Sequence, residues 1–204
     1  FYEVALIPMY LLIGVWGSGR KEYAAMKLTL MLMGGSAFLL IGILGIYYGA
    51  GAETMHILDI VQHKIPTEMQ RIFFPMVFLG FGVLGALFPF HTWSPDGHAS
   101  APTAVSMLHA GVLMKLGGYG CFRIAMYLMP TGAAIWGDFF LVLTTISVVY
   151  GAFSAVVQTD LKYINAYSSV SHCGLVLFAL LMMTRVSATG AILHMLSHGL
   201  MTAL

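Results

Sequence analysis

Charge is what this sequence has least of. Nine Lys and Arg and eight Asp and Glu make only 8% of its 204 residues charged, where a soluble domain carries about 25%. With 59% hydrophobic residues and a mean hydropathy of +0.89, the charges are too few to cover a water-facing surface, so lipid must be the missing solvent. This excludes intrinsic disorder and a soluble enzyme. A formal net charge of +1 offers no basic footprint, which excludes a nucleic-acid binder. Cysteine is scarce as well. Cys121 and Cys173 are isolated in apolar surroundings and form neither a disulfide framework nor a metal knuckle. No Met opens the chain, which starts inside one apolar stretch (Phe1 to Trp16) and stops inside another (Gly190 to Leu204). The expectation is a piece of a longer polytopic protein, for which a missing signal peptide means nothing.

What is present is a series of long apolar runs. A hydrocarbon core about 30 Å thick takes about 20 apolar residues per helix. That ruler predicts a truncated span over Phe1–Trp16 and full ones over Leu28–Gly49, Ile72–Phe90, Thr103–Met129, Ile135–Val157 and Ile164–Met183. A last, truncated span begins near Ser187. The runs are too long for barrel strands, and lipid-exposed backbone must satisfy its own hydrogen bonds, so the fold class is all-α and multi-pass. The chain is read as part of a single transmembrane domain. In the longest connection, Gly51–Arg71, Met55, Leu58, Val61 and Ile65 stand at helical spacing and predict an interfacial helix ended by Pro66. Basic residues on alternate sides are near parity, so the positive-inside rule does not orient the chain.

In a bilayer the informative residues are ionisable ones at membrane depth, each costing roughly 2.5–3.5 kcal/mol on insertion scales. Lys115 stands near the middle of its run, in AGVLMKLGGYG, beyond easy snorkelling distance of either end. Gly111, Gly117 and Gly118 beside it admit a close neighbouring helix. A lysine so placed is poised between charged and neutral forms, as a proton relay requires. Glu3 is either a proton-holding carboxylate or a helix-end residue at the membrane surface. Arg123 is better explained by snorkelling. His172, His194 and His198 titrate near neutrality, and the last two share a helical face at a spacing of four. With no third ligand in sequence, a metal site is not expected. His109, six residues before Lys115, does not share its face; it is either a satisfied interior histidine or a relay member.

Phe88–Thr103 (FPFHTWSPDGHASAPT) carries three prolines around His91, Asp96 and His98. It is either a discontinuous helix or buried loop lining protein or water, or a plain connecting loop. Asp160 and Lys162 read as a polar turn with a cap at the entry of the sixth span. GFGVLG (Gly80–Gly85) matches a dinucleotide fingerprint, but it lies mid-span with no strand before it, so close helix packing explains it better.

Three segments taken together, FPFHTWSPDGHASAPTAVSMLHAGVLMKLGGYG, DLKYINAYSSVSHCGLV and HMLSHGLMTAL, resemble the antiporter-like subunits of NADH–quinone oxidoreductase (respiratory complex I), the Mrp antiporters and the membrane hydrogenases. Thr202 in the last segment favours the subunit M branch over subunits L or N. The resemblance implies a proton-translocating subunit of which this chain is the middle. It implies a discontinuous helix near Phe78–Trp93, and places Glu3 on the family's essential glutamate, Lys115 on its central lysine, and His172 and His198 on histidines of a hydrophilic axis. Leu84 falls where the family usually has a second lysine, and His91 or His109 are the residues available to stand in for it. NADH, FMN, iron–sulfur clusters and quinone are expected in other subunits, with no cofactor or metal in this chain. Partners implied are subunits L and N, small membrane subunits and the bilayer, in a prokaryotic plasma membrane. The alternatives are an Mrp-type Na⁺/H⁺ antiporter subunit, a hydrogenase-linked subunit, or a non-pumping structural subunit.

Overall fold

The computed structural model describes residues 2–51, 54–63 and 65–203. Among them every regular element is helical: α1 (Tyr2–Trp16), α2 (Lys21–Ala50), α3 (Ile57–Gln62), α4 (Thr67–Leu84), α5 (Trp93–Ser100), α6 (Thr103–Leu108), α7 (Met114–Gly120), α8 (Pro130–Val157), α9 (Leu161–Leu181) and α10 (Arg185–Ala203). Two π-helical stretches, His109–Leu113 and Cys121–Met126, join α6 to α7 and extend α7, so that Thr103 to Leu128 is one uninterrupted rod. The helices α2, α8 and α9 are each long and apolar enough to cross a bilayer. Large apolar side chains such as Val156 (82% exposed) and Val186 (84%) point outward, as lipid-facing or helix-packing residues do.

Hydropathy placed the spans but started several of them late. α2 begins at Lys21 rather than Leu28, α4 at Thr67 rather than Ile72, and α8 at Pro130 rather than Ile135. At about 1.5 Å per residue the 30 residues of α2 reach about 45 Å, well beyond a hydrocarbon core of about 30 Å. Its first polar turns are helical without being apolar. The expected interfacial helix is shorter than predicted. It covers Ile57–Gln62, so Met55 and Ile65 lie outside it, while Glu53 and Lys64 of that connection fall outside the described residues. Pro66 forces extended backbone before α4 and so stands at the start of the next helix.

The Ile72–Phe90 span is discontinuous. α4 stops at Leu84 in a Schellman closure, with Leu87 N–H bonded to Gly82 C=O (2.8 Å) and Ala86 N–H to Val83 C=O (3.1 Å). Ala86 takes the left-handed conformation, φ 55°, a position where glycine is the usual occupant. Trp93 Nε1 then donates to Val83 C=O at 3.0 Å, which folds α5 back onto the broken end.

Small residues set the helix contacts. A Cβ on Gly80 would lie 2.8 Å from Gly35 O and 2.8 Å from Leu39 Cβ, locking α4 onto α2. One on Gly117 would lie 2.5 Å from Gly85 N, locking α7 onto the break. The GFGVLG segment therefore serves close packing. Replacing Gly80 by Val should cost about 1–3 kcal/mol by overpacking, whereas Gly34→Ala, which meets nothing within 4 Å, should be tolerated. Thermal unfolding of the detergent-solubilised protein checks the contrast.

Candidate functional site

Lys115 is the second residue of α7, just after a π-helical stretch, a feature common at functional sites. Its ammonium donates to Ala110 C=O at 2.7 Å, within that stretch, and faces His198 Nδ1 at 2.5 Å, with Cys173 Sγ at 3.9 Å. Among the described residues no carboxylate pairs with it; the one ion pair there is Lys27–Asp96. Its polar neighbours are a carbonyl, an imidazole and a thiol. Gly85, Gly118 and Met195 complete a small cavity shared by Lys115, His172 and His198. Its volume is about 10 Å³ of space open to the centre of a water molecule, room for about one water.

Three imidazoles gather on this side. His172 of α9 lies 3.0 Å (Nδ1 to Nε2) from His194 of α10. The His172 ring centroid is 4.5 Å from that of His198. The structure thus joins Lys115, His172 and His198, and it adds His194 and Cys173. His172 is a third imidazole that sequence spacing could not bring to the His194–His198 pair. Among the described residues no set of three His, Cys, Asp or Glu side chains converges as a metal site would.

His109 lies outside the cavity that Lys115, His172 and His198 share. Its ring is fully buried and stacks on Trp93 (5.0 Å) and on His98 (4.3 Å), both from α5. His91 is buried in the break between α4 and α5, against Phe88 (5.5 Å) and Tyr150 of α8 (5.0 Å). Glu3 is exposed and hydrogen-bonded by Ser36 of α2. It makes no contact with Lys115. Leu84 is buried in a cluster that includes Trp93, Met114 and Cys173. Arg123 lies 5.0 Å over the Tyr127 ring.

A second polar group, of which the sequence showed only the Asp160–Lys162 turn, sits at one end of the bundle. Lys27 of α2 and Asp96 of α5 form an ion pair at 2.7 Å, with Tyr163 of α9 donating to the same carboxylate at 3.3 Å. Asp160 caps α9 through Lys162 N–H (2.8 Å), and the Lys162 ammonium caps α5 through Ala101 C=O (2.9 Å). Beside them a polar cavity of about 200 Å³ is lined by Ser18, Arg20, Asp96, Asp160 and Tyr163. The clue in sequence was Asp96 and His98 amid prolines, but Lys27 lies 69 residues away, and only the fold pairs them. Asp96→Ala should lower stability by about 1–3 kcal/mol. Lys27→Ala added to it should cost little more, a non-additivity measurable by a thermal double-mutant cycle.

Comparison with known proteins agrees with this architecture. The chain is 41% identical over 203 residues to NAD(P)H-quinone oxidoreductase chain 4 of Citrus sinensis chloroplasts, covering 99% of this chain and 41% of that one. It is 38% identical over 204 residues to NADH-quinone oxidoreductase subunit M of Rickettsia prowazekii, covering 100% of this chain and 41% of that one. A chain of respiratory complex I from Thermus thermophilus superimposes with a TM-score of 0.93 at 29% identity, over 99% of this chain and 43% of that chain. The chain thus spans about two fifths of the length of these relatives. The family model for the transmembrane NADH:quinone oxidoreductase/Mrp antiporter proteins matches residues 1–204, and the chain belongs to that family.

Proposed function

We propose that this chain is the proton-carrying module of a membrane subunit in an NADH–quinone oxidoreductase complex. It would move H⁺ across the membrane as quinone is reduced elsewhere. The observation that carries the reading is Lys115, held in the bundle by Ala110 C=O and His198 and sharing a water-sized cavity with His172. A lysine with neutral acceptors gains or loses its proton according to nearby charge. Each imidazole beside it can accept a proton on one ring nitrogen and release one from the other.

The chemistry of the donors favours H⁺ over Na⁺. Sodium is a hard cation that takes oxygen ligands, as calcium and magnesium do, whereas Lys115, His172, His194 and His198 present nitrogen. In this reading Lys115 is the central carrier, His198 its exchange partner, and His172 with His194 the continuation on α9 and α10. Glu3 lies outside this group, so any part it plays runs through α2, where Ser36 holds it. His91 lacks a link to Lys115 in the same way. The electron-carrying groups belong to other subunits: the two cysteines here are buried on different helices and suit no cluster. The membrane is the prokaryotic plasma membrane, a placement supported by the bacterial relative.

Lys115→Ala in the assembled complex, in sealed membrane vesicles, should cut the protons moved per electron while the complex still assembles. Dye-monitored acidification against NADH oxidation measures it, and an unchanged ratio would overturn the reading.

A further inference from the structure

Proton carriage leaves one nucleophile in the cavity without a task. Cys173 of α9 is 5% exposed and lines the cavity with Lys115, His172 and His198. Its Sγ lies 3.9 Å from Lys115 Nζ. A missing side chain allows this approach: a Cβ on Gly118 of α7 would lie 3.1 Å from Val176 Cγ1 of α9. Among the described residues Lys115 meets a carbonyl, an imidazole and this thiol, and of these only the thiol can become an anion. The same cavity wall holds a second unsatisfied group. His198 is 3% exposed, and its Nε2 has no hydrogen-bond partner. An orphaned ring nitrogen on a cavity of this size calls for a small hydrogen-bonding guest.

The other cysteine of the chain provides the contrast. Cys121 is 0% exposed, and its thiol donates weakly to Phe78 C=O at 3.8 Å. A thiol in apolar surroundings with no base beside it keeps its proton and is inert, because the thiolate is the nucleophile. Cys173 has its base at hand. In the amine form Lys115 takes the thiol proton, which leaves a thiolate paired with the new ammonium.

We propose that Cys173 is an oxidation site for hydrogen peroxide, and that oxidation ends in a covalent Cys173–Lys115 bond that silences the lysine. The loss of pumping rests on the proton-carrying reading above; the bond itself does not. The thiolate sulfur attacks one peroxide oxygen. An S–O bond forms, the O–O bond breaks, and an electron pair passes from sulfur to oxygen. The Lys115 ammonium gives its proton to the departing hydroxide, so the products are a sulfenic acid, water and the lysine amine. Nζ then attacks the sulfenic sulfur. An N–S bond forms, the S–O bond breaks, and the hydroxyl leaves with an N–H proton as a further water. Sulfenic acids condense with backbone nitrogen in the same way. The sulfenamide nitrogen is a poor base, so Lys115 stops exchanging protons. An added thiol reverses the step: it is oxidised to its disulfide and returns the cysteine and the amine.

The test uses the complete complex in sealed vesicles, treated with dilute hydrogen peroxide and then digested for mass spectrometry. The peptide carrying Cys173 should be joined to the one carrying Lys115, the product being lighter than their sum by a pair of hydrogens. Dithiothreitol should separate them, and Cys121 should stay a free thiol. Protons per electron should fall to the level of Lys115→Met and recover with dithiothreitol. Cys121→Ser should respond as the parent does. Cys173→Ser and Cys173→Ala, whatever their starting ratio, should lose nothing more on peroxide. Lys115→Met fills the space without a base and should leave Cys173 as unreactive as Cys121. Absence of the joined peptide from the treated parent overturns the proposal, and that measurement needs no variant. Equal oxidation of Cys121, or equal loss of coupling in the Cys173 variants, overturns it too. So does a joined peptide with parental coupling where Lys115→Met has lost it. If Lys115→Met itself keeps parental coupling, the underlying reading falls, and the joined peptide alone decides the site.

Discussion

An ammonium group inside an apolar bundle must find its acceptors in the protein, because the lipid offers none. That constraint organises the interior around Lys115. Burial of a charge with no partner is prohibitive, and among the described residues no carboxylate pairs with it. The structure answers with a carbonyl of a π-helical stretch and with His198 of a different helix. Both acceptors depend on close backbone approach. Gly117 lets α7 lie against Gly85, and Gly118 opens the cavity wall where Met195, His172 and Cys173 meet. A bulkier residue at either place would move the lysine away from its partners.

The break between α4 and α5 obeys the same rule for backbone. A helix that stops within a membrane exposes carbonyls and N–H groups that need partners. The Schellman closure at Gly82–Leu87 satisfies several, and the Trp93 indole reaches Val83. Lys162 caps the far end of α5. Pinned so, the half-helix can present Asp96 to Lys27 and His98 to His109 at fixed distances. The discontinuity thereby creates polar positions in the interior that a continuous apolar span would lack.

Much of this was legible in the sequence. Long apolar runs specify crossings because thickness and backbone satisfaction leave few alternatives, and the prolines of Phe88–Thr103 marked the break. Span starts ran late because hydropathy reports the hydrocarbon zone, whereas α2 and α4 are helical through polar turns at Lys21–Lys27 and Thr67–Arg71. Lys115 stood out by depth alone. Its partners did not, because His198 lies 83 residues away and no local period encodes a tertiary contact. The same reason hid the Lys27–Asp96 pair and the pairing of His172 with His194. Glu3 shows the opposite limit: the family resemblance marks it, yet the described fold gives it only Ser36.

The central claim is that Lys115 and His198 act as one proton-exchange unit. A functional double-mutant cycle on the assembled complex tests this most directly, with protons per electron measured for Lys115→Met, His198→Ala and the two together. The account predicts that each single change costs the same share of pumping and that the pair costs no more than either. Additive losses, or full pumping after His198→Ala, would contradict it.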